Sequence, residues 1–599
     1  MSFLKKINLP FISTVIILIA LLVIVNSHLP AIGHDYGYHI PRMLDGHLHQ
    51  KINGFEVQWY TPSFGGGLPA YPNPQDIQYS LPQALLFVVN PWNSLMISLA
   101  FYSTLGSLAF HLFLRGALQL PQNASLLGAA FILTNGFFIQ HAIIGHVGFQ
   151  VFPLLGCILY LIFNRRLTVL TTGILLGLLG FVIVNQSGFY IAFIFSLSLT
   201  ILFPLLYLLE PGLYDWKRFG SILTLGGFCA LAFSSSKLNA VYSFMRFFPR
   251  EISDAYDKTY LEGLGGLALQ LAGGMTVIPY SILSQKGIAS LPALFQQVTG
   301  SDSHLWEMDI SLSPVLLGIL LSGIPAGIVK NIRRPRLSPA KWIALLLLLV
   351  GIWLVVDFSL AQGFLFDRLN SLPVVRSLHV NVRYASALIF PAAIAGAYIL
   401  KKSVSRNAAF ILLYAANIAF PLVYILPTRD VVDLTFNIKQ PNKVYAEIEA
   451  GNRFPVSGIE AIKDIAVFNE EASNIELLFE PVFGYDLESF HPQIHIGSVF
   501  DAGDGYYNLI NPAGYVFPEE NNVSPFERFR IEQEEDFIRF INREQPRFEI
   551  SAAQKQANAM SIISLLGAAL YLWLKMIKYV TQAAADFRRD GLKSKIGNG

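Results

Sequence analysis

The sequence predicts an all-α polytopic membrane protein with about twelve transmembrane helices and a C-terminal extracytoplasmic domain of α/β or mostly β type. Three observations predict it. Only 14% of the 599 residues are Asp, Glu, Lys or Arg while 53% are apolar, against about 25% charged in a soluble domain. Runs of apolar residues long enough to cross a bilayer recur along the chain. The short segments between them alternate between basic and non-basic. The net charge of +2 gives no global basic field, so no nucleic-acid partner is expected. The two cysteines, Cys157 and Cys229, sit inside apolar runs and read as packing residues rather than a redox pair or a thiolate zinc site.

Taken in order, the first apolar run covers 11–25 behind Lys5 and Lys6, and lacks a small-x-small cleavage site after it, so a retained anchor is expected. Further spans are expected at about 94–114, 124–140, 147–163, 167–184, 188–209, 219–235, 312–329, 342–360, 384–400, 407–426 and 557–574. The apolar stretch 81–89 is too short to cross and reads as re-entrant or interfacial. With the N-terminus inside, the inner segments carry Lys5/Lys6, Arg115, Arg165/Arg166, Lys217/Arg218, Lys330 to Lys341, Lys401/Lys402/Arg406 and the basic tail from Lys575. That agreement with the positive-inside rule places both termini in the cytoplasm of a bacterial inner membrane.

Residues 1–426 thus form the membrane domain, with long outer loops at 26–93 and 236–311. Residues 427–556 form an outer soluble domain with β-branched patches at 464–468, 475–479 and 493–496 and turn clusters at 501–505 and 511–512. Residues 557–599 supply the last span and a basic cytoplasmic tail.

Charges are rare within the spans, Asp357 being the main exception, which disfavours a midplane transport site. The chemistry-bearing residues collect outside. The first outer loop opens as GHDYGYHIPR over 33–42, so His34, Asp35 and His39 follow the first span directly. A carboxylate held at the bilayer surface is partly desolvated, which suits Asp35 to general-base work; it also stands where a residue capping the next helix would stand, and both roles are open. The same loop continues through an aromatic and glycine-rich stretch to Asp76, a second carboxylate that equally fits a turn after Pro74. Near the outer end of a later span, residues 372–384 read LPVVRSLHVNVRY, and Arg376, His379 and Arg383 would share one helical face. Two guanidiniums at headgroup level suit a phosphodiester or pyrophosphate, or else lipid phosphates met by snorkelling. Lys237, Arg246 and Arg250 begin the second long outer loop and extend the same basic set. His146, close to His141, is a further site candidate, but no histidine pair has the i, i+4 spacing with a partnering Glu, so no dedicated metal site is expected.

Together these residues resemble the GT-C superfamily of polytopic membrane glycosyltransferases. The resemblance rests on an in-facing first span, the His34-Asp35-Tyr36 motif with His39 after it, around a dozen helices, the segment with Arg376 and Arg383, and an outer C-terminal domain. It covers roughly residues 1–430. It implies transfer of a sugar from a polyprenyl-phosphate carrier to a glycan, lipid or protein acceptor on the outer face, usually with inversion. It further implies Asp35 as the base and Arg376 and Arg383 as the residues that hold the carrier phosphate. The loop departs from the family pattern in having no Asp-Glu or Asp-x-Asp pair. Two rival readings are a transporter or flippase of a lipid-linked substrate, and a non-enzymatic membrane subunit that docks a protein partner through 427–556.

Overall fold

The computed structural model describes residues 33–246, 259–273, 275, 307, 309–332, 338–361, 363–370, 378, 380–401, 407–428, 439–461, 473–475, 493–545 and 547–596. The expected first span at 11–25 and the strand patches at 464–468 and 476–479 lie outside these residues.

The chain opens with α1 (His34–Asn53), a minimal hairpin of β1 (Tyr60–Thr61) and β2 (Leu68–Pro69), and α2 (Leu81–Leu85). The membrane helices begin with α3 (Pro91–Gly116), α4 (Gln122–Phe131), α5 (Gly136–Ile144), a 3-10 segment over Val147–Leu154 that runs into α6 (Leu155–Phe163), and α7 (Val169–Asn185). They continue as α8 (Phe189–Leu209), α9 (Trp216–Met245), α10 (Tyr260–Ala272), α11 (Pro314–Ile332), α12 (Pro339–Val356) and α13 (Phe364–Asn370). A 3-10 turn over Asn381–Leu388 leads into α14 (Ile389–Ile399), and α15 (Asn407–Thr428) follows. The segment after α15 holds α16 (Lys439–Glu449), β3 (Gly458–Glu460), β4 (Ser473–Ile475), β5 (Gly497–Ser498), β6 (Ala502–Gly503), β7 (Tyr506–Ile510), α17 (Ala513–Val516), α18 (Pro518–Asn521), β8 (Arg528–Arg530) and α19 (Glu534–Ile541). The chain returns through α20 (Ala552–Ile596).

All eleven apolar runs that fall within the described residues are helical, but they do not make eleven unbroken crossings. Among the described residues, six helices are long and apolar enough to span: Pro91–Gly116, Phe189–Leu209, Trp216–Met245, Pro339–Ala361, Asn381–Ile399 and Ala552–Gln582. A seventh crossing exists if α4 and α5, which meet at 45°, count as one. The expected count of about twelve is not confirmed by these helices. Two causes are local. Asn135 accepts from Phe138 N at 2.9 Å and restarts the helix as an N-cap, breaking the run at 132–135. Val147 to Leu154 winds as a tighter 3-10 segment with Pro153 inside it, so the span begins without ordinary helical bonding.

Close helix contacts are set by glycine. A Cβ on Gly106 of α3 would fall well inside van der Waals distance of the Pro153 carbonyl, and one on Gly156 would meet the Gly106 carbonyl. Without lipid-excluded surface to drive association, such close backbone approach is what holds membrane helices together. Gly106→Ala is accordingly expected to cost about 1–3 kcal/mol, read as a lower apparent Tm in detergent than the wild type.

α9 joins the two layers. At about 45 Å from 1.5 Å per residue it exceeds a hydrocarbon core of roughly 30 Å. Its middle packs Cys229 and Phe233 with Ile174 and Ala568, and its C-terminal end packs Ala240, Val241, Phe244 and Met245 into a second core with Trp59, Phe64, Leu509 and Phe540. That second core is built from residues 57–79 and the C-terminal segment 456–550 together. Two three-stranded sheets contribute to the latter: β4-β3-β5, with β3 parallel to β4 and antiparallel to β5, and the antiparallel β6-β7-β8. Asp504 and Gly505 turn the β6–β7 hairpin, both at positive φ (54° and 85°), as a two-residue primed turn requires. Asp357, the exceptional charge of the spans, is buried and satisfied: it accepts from Tyr260 Oη at 2.6 Å and from Phe366 N at 2.9 Å, tying α10 to α13.

Candidate functional site

The site is assembled by the interlock of α1 with the end of α5. Gly145 ends α5 in the left-handed region (φ 99°), which reverses the chain so that His146 follows at once. A Cβ on Gly33 would overlap the backbone of Ile144, so the start of α1 rests directly on that turn. Tyr36 locks the contact by donating from Oη to Ala142 O at 2.6 Å.

The interlock sets Asp35 against His146: Asp35 Oδ2 lies 2.5 Å from His146 Nε2. His146 Nδ1 lies 2.7 Å from His141 Nδ1. With Asp35 ionised, one tautomer set satisfies both contacts: His146 donates from Nε2 to Asp35 and accepts at Nδ1 from His141. Asp35 does not cap α1. Gly33 is the N-cap residue, and Asp35 stands in the first turn, where the helix dipole favours its negative charge. His39, one turn on, is buried beside the pair, and burial pushes its imidazole down to about 3. The unfolded chain, near 6.5, binds a proton that the folded chain refuses, so stability is complete above pH 6.5 and falls as the pH drops toward 3. In His39→Gln the fall of apparent Tm between pH 6.5 and 4 is expected to be shallower, by thermal unfolding at stepped pH.

Arg383 enters from the opposite side of the sequence. It stands in the 3-10 turn before α14, stacked between the rings of Phe149 and Tyr190, each 5.1 Å from its guanidinium carbon. Its Nε donates to Glu307 Oε2 at 2.5 Å and its Nη2 to Glu307 Oε1. Asp35 is close enough for its charge to act on Arg383, and both act on His141. Asp35, His39, His141, His146, Arg383 and Glu307 thus share one electrostatic neighbourhood. Arg383, expected to hold a phosphate, grips the carboxylate of Glu307 here. Arg250, Arg376, His379 and the side chain of His34 lie outside the described residues.

Lys237 and Asp76 belong elsewhere. Lys237 is buried in α9 and donates to the carbonyls of Tyr71 (2.6 Å), Asn73 (2.9 Å) and Asp76 (3.3 Å), with Asp76 Oδ1 at 3.5 Å. Asp76 also accepts from Gln78 N at 3.2 Å. Together they pin the 71–78 turn to α9, and Lys237 has little capacity left for a phosphate. Arg246 is exposed just past the end of α9.

One buried charge centre escaped the sequence reading. Asp45 accepts from Arg543 Nη1 at 2.8 Å, from Gln58 Nε2 at 2.7 Å and from Ser63 Oγ. Arg543 also donates to Phe454 O at 2.8 Å. The signal was helical: Asp35, His39, Arg42, Asp45 and His49 recur at spacings of 4, 3, 3 and 4, a polar stripe along one face of α1. Among the described residues, no group of three or more His, Cys, Asp or Glu is placed to hold a metal ion.

No family model matches the chain, and no curated protein matches it. Among solved structures it is similar to ArnT from Cupriavidus metallidurans, in a crystal structure bound to undecaprenyl phosphate. Identity is 16%, the match covers 78% of this chain and 86% of that chain, and the TM-score is 0.38.

Proposed function

We propose that the chain is an integral membrane glycosyltransferase that moves a sugar from a polyprenyl-phosphate carrier to an acceptor hydroxyl at the outer face of the membrane. The observation that supports it best is that His146, paired with Asp35 from the start of α1, and Arg383, from the turn before α14, both lie against the ring of Phe149. In the proposed reaction the acceptor oxygen attacks the anomeric carbon and the bond to the carrier phosphate breaks with inversion. Asp35 takes the hydroxyl proton, and Arg383 balances the charge that develops on the departing phosphate. Glu307 holds Arg383 until a phosphate arrives, so donor binding is an exchange of one anion for another on a single guanidinium.

Lipid extracts of the purified protein test this. Wild type is expected to carry polyprenyl-phosphate-linked species by mass spectrometry, and Arg383→Gln several-fold less. Equal amounts in both would return Arg383 to a structural role between its two rings and Glu307.

A further inference from the structure

The C-terminal half of α1 is packed against the start of a membrane helix. Met43, Leu44 and Leu48 share one core with Trp92, Leu95 and Met96, which stand in the first two turns of α3. α3 has 26 residues, so it is about 39 Å long against a hydrocarbon core of roughly 30 Å, and its first turns reach the headgroup zone. α2 is fastened at the same level, where Ser94 of α3 donates from Oγ to Pro82 O.

Beside this core three large apolar side chains are left uncovered. Phe55, just past the end of α1, is 74% exposed, and Phe87 and Val88, just before α3, are 39% and 73% exposed. The rings of Phe55 and Phe87 lie 5.7 Å apart, so two segments distant in sequence build one patch. Its members are held in place: Tyr79 donates from Oη to Phe55 O at 3.0 Å, and the ring of His47 stands edge-on to Phe87 at 5.1 Å. An exposed apolar patch of this kind marks a binding surface, and its continuation names the partner. Ile97, Phe101, Leu105 and Leu112 of α3 are exposed as well, at spacings of 4, 4 and 7 that put them on one face of the helix. In a membrane span that face meets lipid. Between stripe and patch stands the exposed Asn93, a polar residue suited to headgroup level. Lys51 rims the patch, its Nζ 5.9 Å from the Phe87 ring and 2.9 Å from Glu449 Oε1. A lysine whose stem lies along apolar surface and whose head stays in water is placed as a snorkelling residue is.

We propose that Phe55, Phe87 and Val88 form a lipid-inserting edge, seated at the boundary of headgroups and acyl chains in the leaflet where α3 begins. Its occupant is the bilayer and not a second protein. The consequence is mechanical: α1, whose first turn carries Asp35, is tied to α5 at its start and to the membrane at its far end. The edge stands whether or not the chain transfers a sugar.

Spin labelling of the full-length protein in liposomes of phosphatidylethanolamine and phosphatidylglycerol tests it. Both native cysteines are buried, so the nitroxide goes to an introduced one. Phe55→Cys and Val88→Cys carry the label on the patch, Phe101→Cys gives the lipid-facing reference, and Ala502→Cys in β6 gives the aqueous one. All four positions are exposed, so each variant should fold. Collisions with oxygen, which partitions into lipid, are compared with collisions with a nickel(II) chelate, which stays in water. The oxygen-to-nickel ratio at 55 and at 88 is expected to be severalfold above that at 502 and to approach that at 101. A ratio at either patch position as low as at 502 would put the patch in water and overturn the edge. An immobilised label shielded from both reagents would show protein covering the patch, and would overturn it equally.

Discussion

Replacing Asp35 by Asn is expected to lower sugar transfer by about 10²–10⁴, the usual contribution of a positioned base, while expression, lipid content and thermal unfolding stay near wild type. The substitution is nearly isosteric, and an amide oxygen at the same place still accepts from His146 Nε2, so the pairing at 2.5 Å has a neutral counterpart. What disappears is the ability to take a proton. Stability should change little because Asp35 and His146 are both partly open to solvent, at 18% and 11% of their side chains. The measurement is single-turnover transfer in proteoliposomes, with donor binding followed in parallel so that a KM effect is not mistaken for one on kcat. Full transfer by the Asn variant would take the base away from Asp35 and leave His146 as the group to test. Loss of transfer accompanied by loss of donor binding would instead assign Asp35 a positioning role.

The membrane character and the place of the long apolar runs within the described residues were legible because both follow from composition and run length, which are local, while the helix Tyr260–Ala272 fell in an expected loop. Helix continuity was not. Asn135 breaks one apolar run by capping, and the 3-10 winding around Pro153 tightens another, yet neither changes mean hydropathy. Asp35 could be singled out because it closely follows the first apolar run. Its partner His146 could not be assigned from 111 positions away, since the link is the left-handed turn at Gly145 resting on Gly33. Arg383 was visible as a cation near a span end, whereas Glu307, which shapes what that cation can do, lies in another segment of the chain. Lys237 illustrates the opposite error. A lysine at the head of a long loop reads as an anion ligand until the carbonyls of Tyr71, Asn73 and Asp76 are seen around it. The stripe on α1 was fully present in the sequence, and only a helical reading through Pro41 would have exposed it.

The Asp45–Arg543 pair carries the second large effect. Asp45→Ala is expected to destabilise the outer layer by about 3–5 kcal/mol, the cost of leaving one member of a buried pair without its counter-charge. Burial pushes the Arg543 guanidinium down, and Asp45 is what opposes that shift. The pair also closes the seam between segments far apart in sequence. Asn53 Nδ2 donates to Arg543 O at 2.8 Å, Ile510 N donates to Gly66 O at 2.8 Å, and Arg543 itself adopts a left-handed backbone (φ 63°) that its contacts must sustain. Loosening should therefore be concentrated there, as faster proteolysis around 541–550 and a lower apparent Tm. The double variant Asp45→Leu with Arg543→Met removes both charges and restores apolar volume, so it should recover much of the lost stability. A double variant no more stable than Asp45→Ala would mean that the penalty comes from the lost bonds to Gln58 and Ser63 and not from an uncompensated guanidinium.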